Sequence, residues 1–286
     1  MERSSRARLA ALQARAADSE LRRRVRSSPA PPGLRLAGFD VIAEIKRSSP
    51  SAGVLAGVIH ADANRPTADI AARAAGYARA GAAAVSVLTE PERFNGSLDD
   101  LATAAGAIPT IPVMRKDFLI HPAQVWEARA SGAGGVLLIV RMLSDGLLIE
   151  MLDAAREAGL FVLVEAFDAT DAARAAMLAH KLLDAPRPPV LFGLNCRDLD
   201  TLRIETPRLG ERVGLLPRGF PRVAESGLAH PRDAADVSRI GYDVALIGTS
   251  LMRSAEPETA LRAFIASGRS VRADPDRGRG TTCAPA

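Results

Sequence analysis

Five short stretches of this chain each end an apolar run with polar residues suited to acid, base or anion chemistry: Glu44-Ile45-Lys46, Arg115-Lys116-Asp117-Phe118, Glu165, Asn195-Cys196-Arg197 and Glu225-Ser226-Gly227. One lysine after a hydrophobic stretch says little. Repetition says that several buried strands emerge around a common opening, and the architecture that brings consecutive strand ends to one rim is a parallel barrel ringed by helices.

The spacing of the runs supports this. Strands are expected at 40–45, 83–88, 111–114, 135–140, 161–165, 190–195, 222–225 and 244–247. Ala-rich helical stretches separate most of them, at 68–80, 98–105, 123–131, 145–158, 169–183, 231–240 and 256–266, while Pro207 and Gly210 interrupt the helical pattern of 202–216. Runs such as Gly135-Val136-Leu137-Leu138-Ile139-Val140 lack polar alternation, as parallel strands buried on both faces do. Gly81 and Gly132, each followed by alanine, suit a tight turn from a helix into the next strand. No Gly-rich dinucleotide fingerprint follows the first strand, and polar strand ends recur in nearly every unit, which favours a closed ring over an open doubly wound sheet. The expected fold is a (β/α)8 TIM barrel over 37–267. Residues 1–36 read as an N-terminal helical extension and a linker, Pro29-Ala30-Pro31-Pro32-Gly33, and 268–286 as a disordered tail.

Composition narrows the functional classes. With 286 residues, 48% of them hydrophobic, the chain can bury one large core. Its charge is +4, but the densest basic cluster, Arg22-Arg23-Arg24-Val25-Arg26, lies close to Asp18 and Glu20 and lacks aromatic residues for base stacking. No nucleic acid partner is expected. No apolar run approaches the roughly 20 residues that span a bilayer, so no membrane partner is expected either. The two cysteines, Cys196 and Cys283, offer no disulfide framework and fit a reducing cytoplasm. His60, His121, His180 and His230 are scattered without the spacing of a metal site. The expected partner is a small anionic molecule, and the oligomeric state is left open.

The strand ends then carry the chemistry. Lys46 and Lys116 can each hold an anion or donate a proton at the barrel mouth. Glu165, beside apolar neighbours, suits proton exchange, whereas Glu44, on the same strand face as Lys46, acts directly or holds a lysine in place. Arg197 can clasp a carboxylate that Asn195 orients. Glu225-Ser226-Gly227 and Gly248-Thr249-Ser250 follow the seventh and eighth strands, where glycines and hydroxyls suit a phosphate cradle and a short extra helix near Ser250 completes it.

At the level of motifs the chain resembles the indole-3-glycerol phosphate synthases. The resemblance rests on Ala43 to Ser51, Ser86 to Thr89, Phe94 to Ser97, Arg115 to Phe118, Val136 to Val140, Leu163 to Glu165, Asn195 to Leu199, Ala224 to Gly227, Leu246 to Gly248 and Leu251-Met252, all in the family's order. It implies ring closure of 1-(2-carboxyphenylamino)-1-deoxyribulose 5-phosphate with loss of carbon dioxide and water, in tryptophan biosynthesis and without a cofactor. By similarity Lys116 is the general acid at the ketone and Glu165 handles protons in the dehydration. Lys46 meets the anionic substrate, Glu44 supports the lysines, and Asn195 and Arg197, with Ser49, hold the substrate near its carboxylate. Phe94, Phe118, Leu137, Ile139 and Leu199 match the family's apolar wall around the anthranilate ring. Departures are Cys196, where the family commonly has Asn or Ser, Phe167 for His, and Thr249 for Ser. The connections at 55–66 and 182–189 look lengthened. The rival readings are a phosphoribosylanthranilate isomerase, a silent sugar-phosphate-binding barrel, and the same chemistry in a secondary indole pathway.

Overall fold

Residues 2–49, 53–54, 68–183, 188–198, 201 and 203–272 are described by a computed structural model. The chain opens with α1 (Glu2–Arg15) and α2 (Asp18–Ser27) and enters β1 (Asp40–Ile45). A two-stranded hairpin follows, β2 (Ser48–Ser49) and β3 (Gly53–Val54), then α3 (Ala68–Arg79), β4 (Ala84–Leu88), α4 (Pro91–Phe94), α5 (Leu98–Ala107) and β5 (Val113–Lys116). Next come α6 (Pro122–Ala130), β6 (Gly135–Ile139), α7 (Asp145–Ala158), β7 (Phe161–Ala166), α8 (Ala169–Leu183) and β8 (Val190–Asn195). The last elements are α9 (Pro207–Arg212), β9 (Arg222–Glu225), α10 (Pro231–Arg239), β10 (Val244–Ile247), α11 (Thr249–Arg253) and α12 (Pro257–Arg272). β1 and β4 to β10 form a closed ring in chain order, with every neighbouring pair parallel and β10 returning beside β1. This is the expected (β/α)8 barrel with a helical N-terminal extension.

The two-residue period of the strands sorts the core into two shells. Val41, Ala43 and Ile45 of β1 face the surrounding helices, while Ile42 joins Met114, Leu137, Phe161, Leu163, Leu191, Val223 and Val244 inside the ring. Continuing each inward-facing series toward the strand's C-terminal end gives Glu44 and Lys46, Lys116 and Phe118, Glu165 and Phe167, Asn195, Glu225, and Gly248. The interior is thus an apolar plug with an ionic layer above it. Helix ends are set by local chemistry: Ser97 and Ser144 cap α5 and α7 through their hydroxyls, and Gly159, at φ 68°, closes α7 in the left-handed region. Gly81 and Gly132, both at φ 92°, make the turns expected of them.

Four expectations are corrected. The strand expected at 111–114 runs Val113–Lys116, because Arg115 turns outward to Glu127 (2.9 Å) and Asp117 (3.0 Å), and its charge does not end the pairing of Leu88 with Lys116. The extension is two helices, broken at Ala17, whose ψ of 154° is extended. Within the stretch where the pattern was interrupted, Pro207–Arg212 forms α9, with Pro207 in its first turn, and Val213–Leu215 a 3-10 turn. The last helix continues past 267 to Arg272, tied down by Arg269, which donates to Asp40 at 2.5 Å and to the Phe39 carbonyl at 3.0 Å. Most of the two connections read as lengthened, and the end of the chain, lie outside the described residues.

Candidate active site

The C-terminal ends of the strands surround a cavity of about 750 Å³. Fifteen of the seventeen candidate site residues named from the sequence line it: Glu44, Lys46, Phe94, Lys116, Phe118, Leu137, Ile139, Glu165, Asn195, Arg197, Glu225, Ser226, Gly227, Gly248 and Thr249. The Ser49 side chain and Leu199 lie outside the described residues.

Register explains how strands distant in sequence meet here. Leu88 pairs with Lys116, Ile139 with Glu165, Glu165 with Gly193, and Asn195 with Glu225, so the polar residues sit at one height around the ring. On one side, Lys46 Nζ donates to Glu44 Oε1 at 2.7 Å, and Lys116 Nζ lies 3.9 Å from Glu44 Oε2. Burial alone would push the Glu44 carboxyl up, but Lys46 and Lys116 outweigh it and hold the group below its ordinary range. Burial likewise works against the Lys116 ammonium, yet Glu165 and Glu44 prevail and raise its pKa above the usual lysine value. Lys116 is therefore a charged donor at neutral pH.

Across the mouth, Asn195 Nδ2 donates to Glu165 Oε1 at 2.7 Å. The Asn195 carbonyl oxygen accepts from the Ser226 hydroxyl (2.8 Å) and from the Arg197 backbone N–H (2.9 Å), which fixes the amide's orientation. Ser226 holds this position with φ 69°, a left-handed conformation uncommon outside glycine. Its hydroxyl serves the amide, which changes the expectation that it faces a phosphate. Glu225 also departs from the cradle expected of it. It is 1% exposed, neither carboxyl oxygen meets a donor among the described residues, and burial, followed by the nearby Glu165, drives its pKa well above the carboxylate range. The shift favours the neutral acid, whose O–H can donate to Glu165.

Glycines make room for these carboxyls. A β-carbon at Gly193 would collide with Glu225 Oε1, and one at Gly248 would collide with Glu44 Oε1. Gly227, at φ 78°, is packed against Thr206, Cys196 and Ile204. Gly248 caps α11, whose Thr249 N-terminus opens on the cavity, and Ser250 donates to the Leu228 carbonyl at 3.1 Å, joining the loops after β9 and β10. Opposite lies an apolar wall: Phe94 and Phe118 with ring centroids 6.4 Å apart, Leu137 and Ile139. Cys196 is buried, its thiol pushed up to about 11 by burial, and does not line the cavity. Among the described residues no three His, Cys, Asp or Glu side chains are grouped to hold a metal ion.

Sequence reasoning missed Glu90, Arg93, Phe167, Ile204 and Arg253 as cavity residues. Phe167 was accessible by counting two positions on from Glu165; Arg253 carries no such periodic signal.

A family profile described as indole-3-glycerol phosphate synthase matches residues 2–264. Among curated proteins, the indole-3-glycerol phosphate synthase of Beutenbergia cavernae is 42% identical over 228 residues, spanning 80% of this chain and 77% of that protein. That of Mycobacterium leprae is 39% identical over 267 residues, spanning 92% and 91%. Among solved structures, 3-hexulose-6-phosphate synthase from Salmonella typhimurium superposes with TM-score 0.60 at 12% identity, covering 81% of this chain and 99% of that one. Thiamine phosphate pyrophosphorylase from Pyrococcus furiosus gives 0.55 at 14%, covering 82% and 96%. At such identities these two speak for the fold alone.

Proposed function

The chain belongs to the indole-3-glycerol phosphate synthase family, and we propose that the cavity above β1 and β4 to β10 is where it performs that family's reaction. It is a carboxy-lyase of tryptophan biosynthesis that closes the ring of 1-(2-carboxyphenylamino)-1-deoxyribulose 5-phosphate. The observation that carries the site assignment is the charged Lys116, between Glu44 and Glu165, facing a cavity with an apolar wall on one side and the glycine-rich loops after β9 and β10 on the other.

The roles are those the family resemblance implies, and the arrangement is compatible with them. The aromatic ring lies against Phe94, Phe118, Leu137 and Ile139, which exclude water and bring the carboxyl-bearing ring carbon to the ketone. Lys116 donates its proton to the ketone oxygen as the new carbon–carbon bond forms, stabilising the developing oxygen charge. Carbon dioxide then leaves, its bonding electrons restoring the aromatic ring. In the dehydration Glu165, oriented by Asn195, takes a proton from the neighbouring methylene and passes it to the new hydroxyl, which leaves as water, and Lys116 is reprotonated from solvent before the next turnover. Gly227, Gly248 and the backbone N–H groups at the start of α11 receive the phosphate, with Lys46 adding charge. Arg197 holds the carboxylate end; Ser49 and Leu199 have roles here only by the family resemblance, the first beside the carboxylate and the second among the apolar residues around the ring. Residues 37–267, together with the end of α12 as far as Arg272, form the catalytic unit, and 1–36 its extension. No helix among the described residues is long and apolar enough to cross a membrane, and the unpaired Cys196 suits the cytoplasm.

The test is fluorescence detection of indole-3-glycerol phosphate from the carboxyphenylamino substrate. Turnover should fall on the order of a thousandfold in Lys116→Ala, as when an acid also supplies electrostatic stabilisation, and should be heavily impaired in Glu165→Gln. Full activity in Lys116→Ala would overturn the assignment.

A further inference from the structure

Lys116 is followed in the chain by a carboxylate that the reaction does not use. Asp117 is sealed, its side chain 0% exposed, and it accepts from Thr89 Oγ1 at 2.7 Å, Arg115 Nη2 at 3.0 Å and the Phe118 backbone N–H at 2.7 Å. Its remaining partner comes from outside the barrel. Arg8 of α1 reaches both carboxylate oxygens, Nη2 to Oδ1 at 2.8 Å and Nη1 to Oδ2 at 3.3 Å. The same face of α1 sends the Ser5 hydroxyl to the Phe118 carbonyl and the Ser4 hydroxyl to Glu90 Oε1 at 3.1 Å, and both serines are buried. Three consecutive residues of the β5 exit are thus held in different ways: Lys116 and Phe118 turn into the cavity, and Asp117 between them is gripped.

We propose that Arg8 is a positioning residue for the reaction, with α1 acting as a brace that fixes the exit of β5 and so aims Lys116. The inference rests on Lys116 being the acid. A two-pronged guanidinium–carboxylate contact constrains direction as well as distance. Asp117 cannot rotate without leaving buried oxygens unpaired, and a peptide that cannot rotate keeps its neighbours' Cβ vectors fixed. Placement errors of about 1 Å at reacting groups cost on the order of a hundredfold in rate.

The experiment compares steady-state kinetics of Arg8→Ala, Arg8→Lys, Lys116→Ala and Arg8→Ala/Lys116→Ala, with Arg22→Ala as control. Arg22 lies over Trp126 at 4.3 Å and holds α2 to α6 without touching Asp117. Arg8→Ala should lower kcat by about 10- to 100-fold with KM nearly unchanged, Arg8→Lys should fall between it and the parent, and Arg22→Ala should keep kcat. The double variant should be no slower than Lys116→Ala alone, because Arg8 acts through that lysine. Parental kcat in Arg8→Ala, or an equal loss in Arg22→Ala, overturns the proposal. If Arg8→Ala does not fold, Arg8→Lys decides: a reduced kcat at unchanged KM sustains the brace, and a parental kcat sinks it. Activity in Lys116→Ala would instead refute the acid assignment, and the brace with it.

Discussion

Glu225 fills the space that a side chain at Gly193 would need. The two residues are on adjacent strands, and the missing β-carbon is what lets the carboxyl lie beside Glu165. Gly193→Ala should therefore displace Glu225 from its seat, destabilise the fold by about 1–3 kcal/mol and reduce kcat. Denaturant unfolding alongside kinetics checks both, and an unchanged kcat would show that the seat is irrelevant to catalysis.

Glu225 itself should give stability a pH signature. Its pKa lies well above 4.5 in the native state because of burial and Glu165. Between 4.5 and that raised value the native state keeps a proton that the unfolded chain has released, so stability falls as pH rises through this window. Glutamine has no proton to hold and can still donate to Glu165. Glu225→Gln should match the parent in melting temperature near pH 4 and exceed it near pH 8, by at least the 2–4 °C that about 1 kcal/mol is worth in a large domain. A constant difference at both pH values would contradict the neutral acid.

Glu44 supports two lysines at once. Glu44→Gln leaves Lys46 an uncharged amide oxygen in place of its ionic partner and removes one of the negative charges that raise Lys116. Breaking a buried pair this way costs about 3 kcal/mol of stability. The ammonium form of Lys116 is also less favoured, so the alkaline limb of the pH–rate profile should move to lower pH. A limb that stays in place would separate Glu44 from Lys116.

Ser226 combines a strained backbone with a useful hydroxyl. Ser226→Ala keeps the left-handed φ and loses the bond to Asn195, and kcat/KM should drop by roughly tenfold, the worth of about one hydrogen bond. Ser226→Gly should show a similar drop without loss of stability, since relief of strain offsets the greater freedom of glycine in the unfolded chain. Equal activity in all three proteins would remove the hydroxyl from the mechanism.

How much of this was legible in the sequence varies with the physics involved. Strand ends were legible because an apolar run that stops at Glu or Lys marks a change of environment along one segment; β1, β8, β9 and β10 lie within the expected bounds. β5 was shifted because Arg115 looks like an exit from sequence, and only its outward pairing with Glu127 shows that the strand continues. The neutral state of Glu225 was hidden for a different reason: it depends on Glu165 and Gly193, from two other strands, and such proximity is set by register rather than by local pattern. The grip of Arg8 on Asp117, 109 positions apart, belongs to the same class. Most of the cavity's lining was readable, but its wiring was not.

The ring closes where β10 meets β1, and Gly248, one residue past β10, leaves the room in which the Glu44 carboxylate lies. The seam of the barrel therefore passes through the proposed site itself. A chain in which β10 has not yet paired with β1 has Glu44, Lys116 and Glu165 but no enclosure to hold them, so competence arrives abruptly, with that pairing. Any cut that keeps the first strand from the last, however many catalytic side chains it spares, separates the two halves of one site.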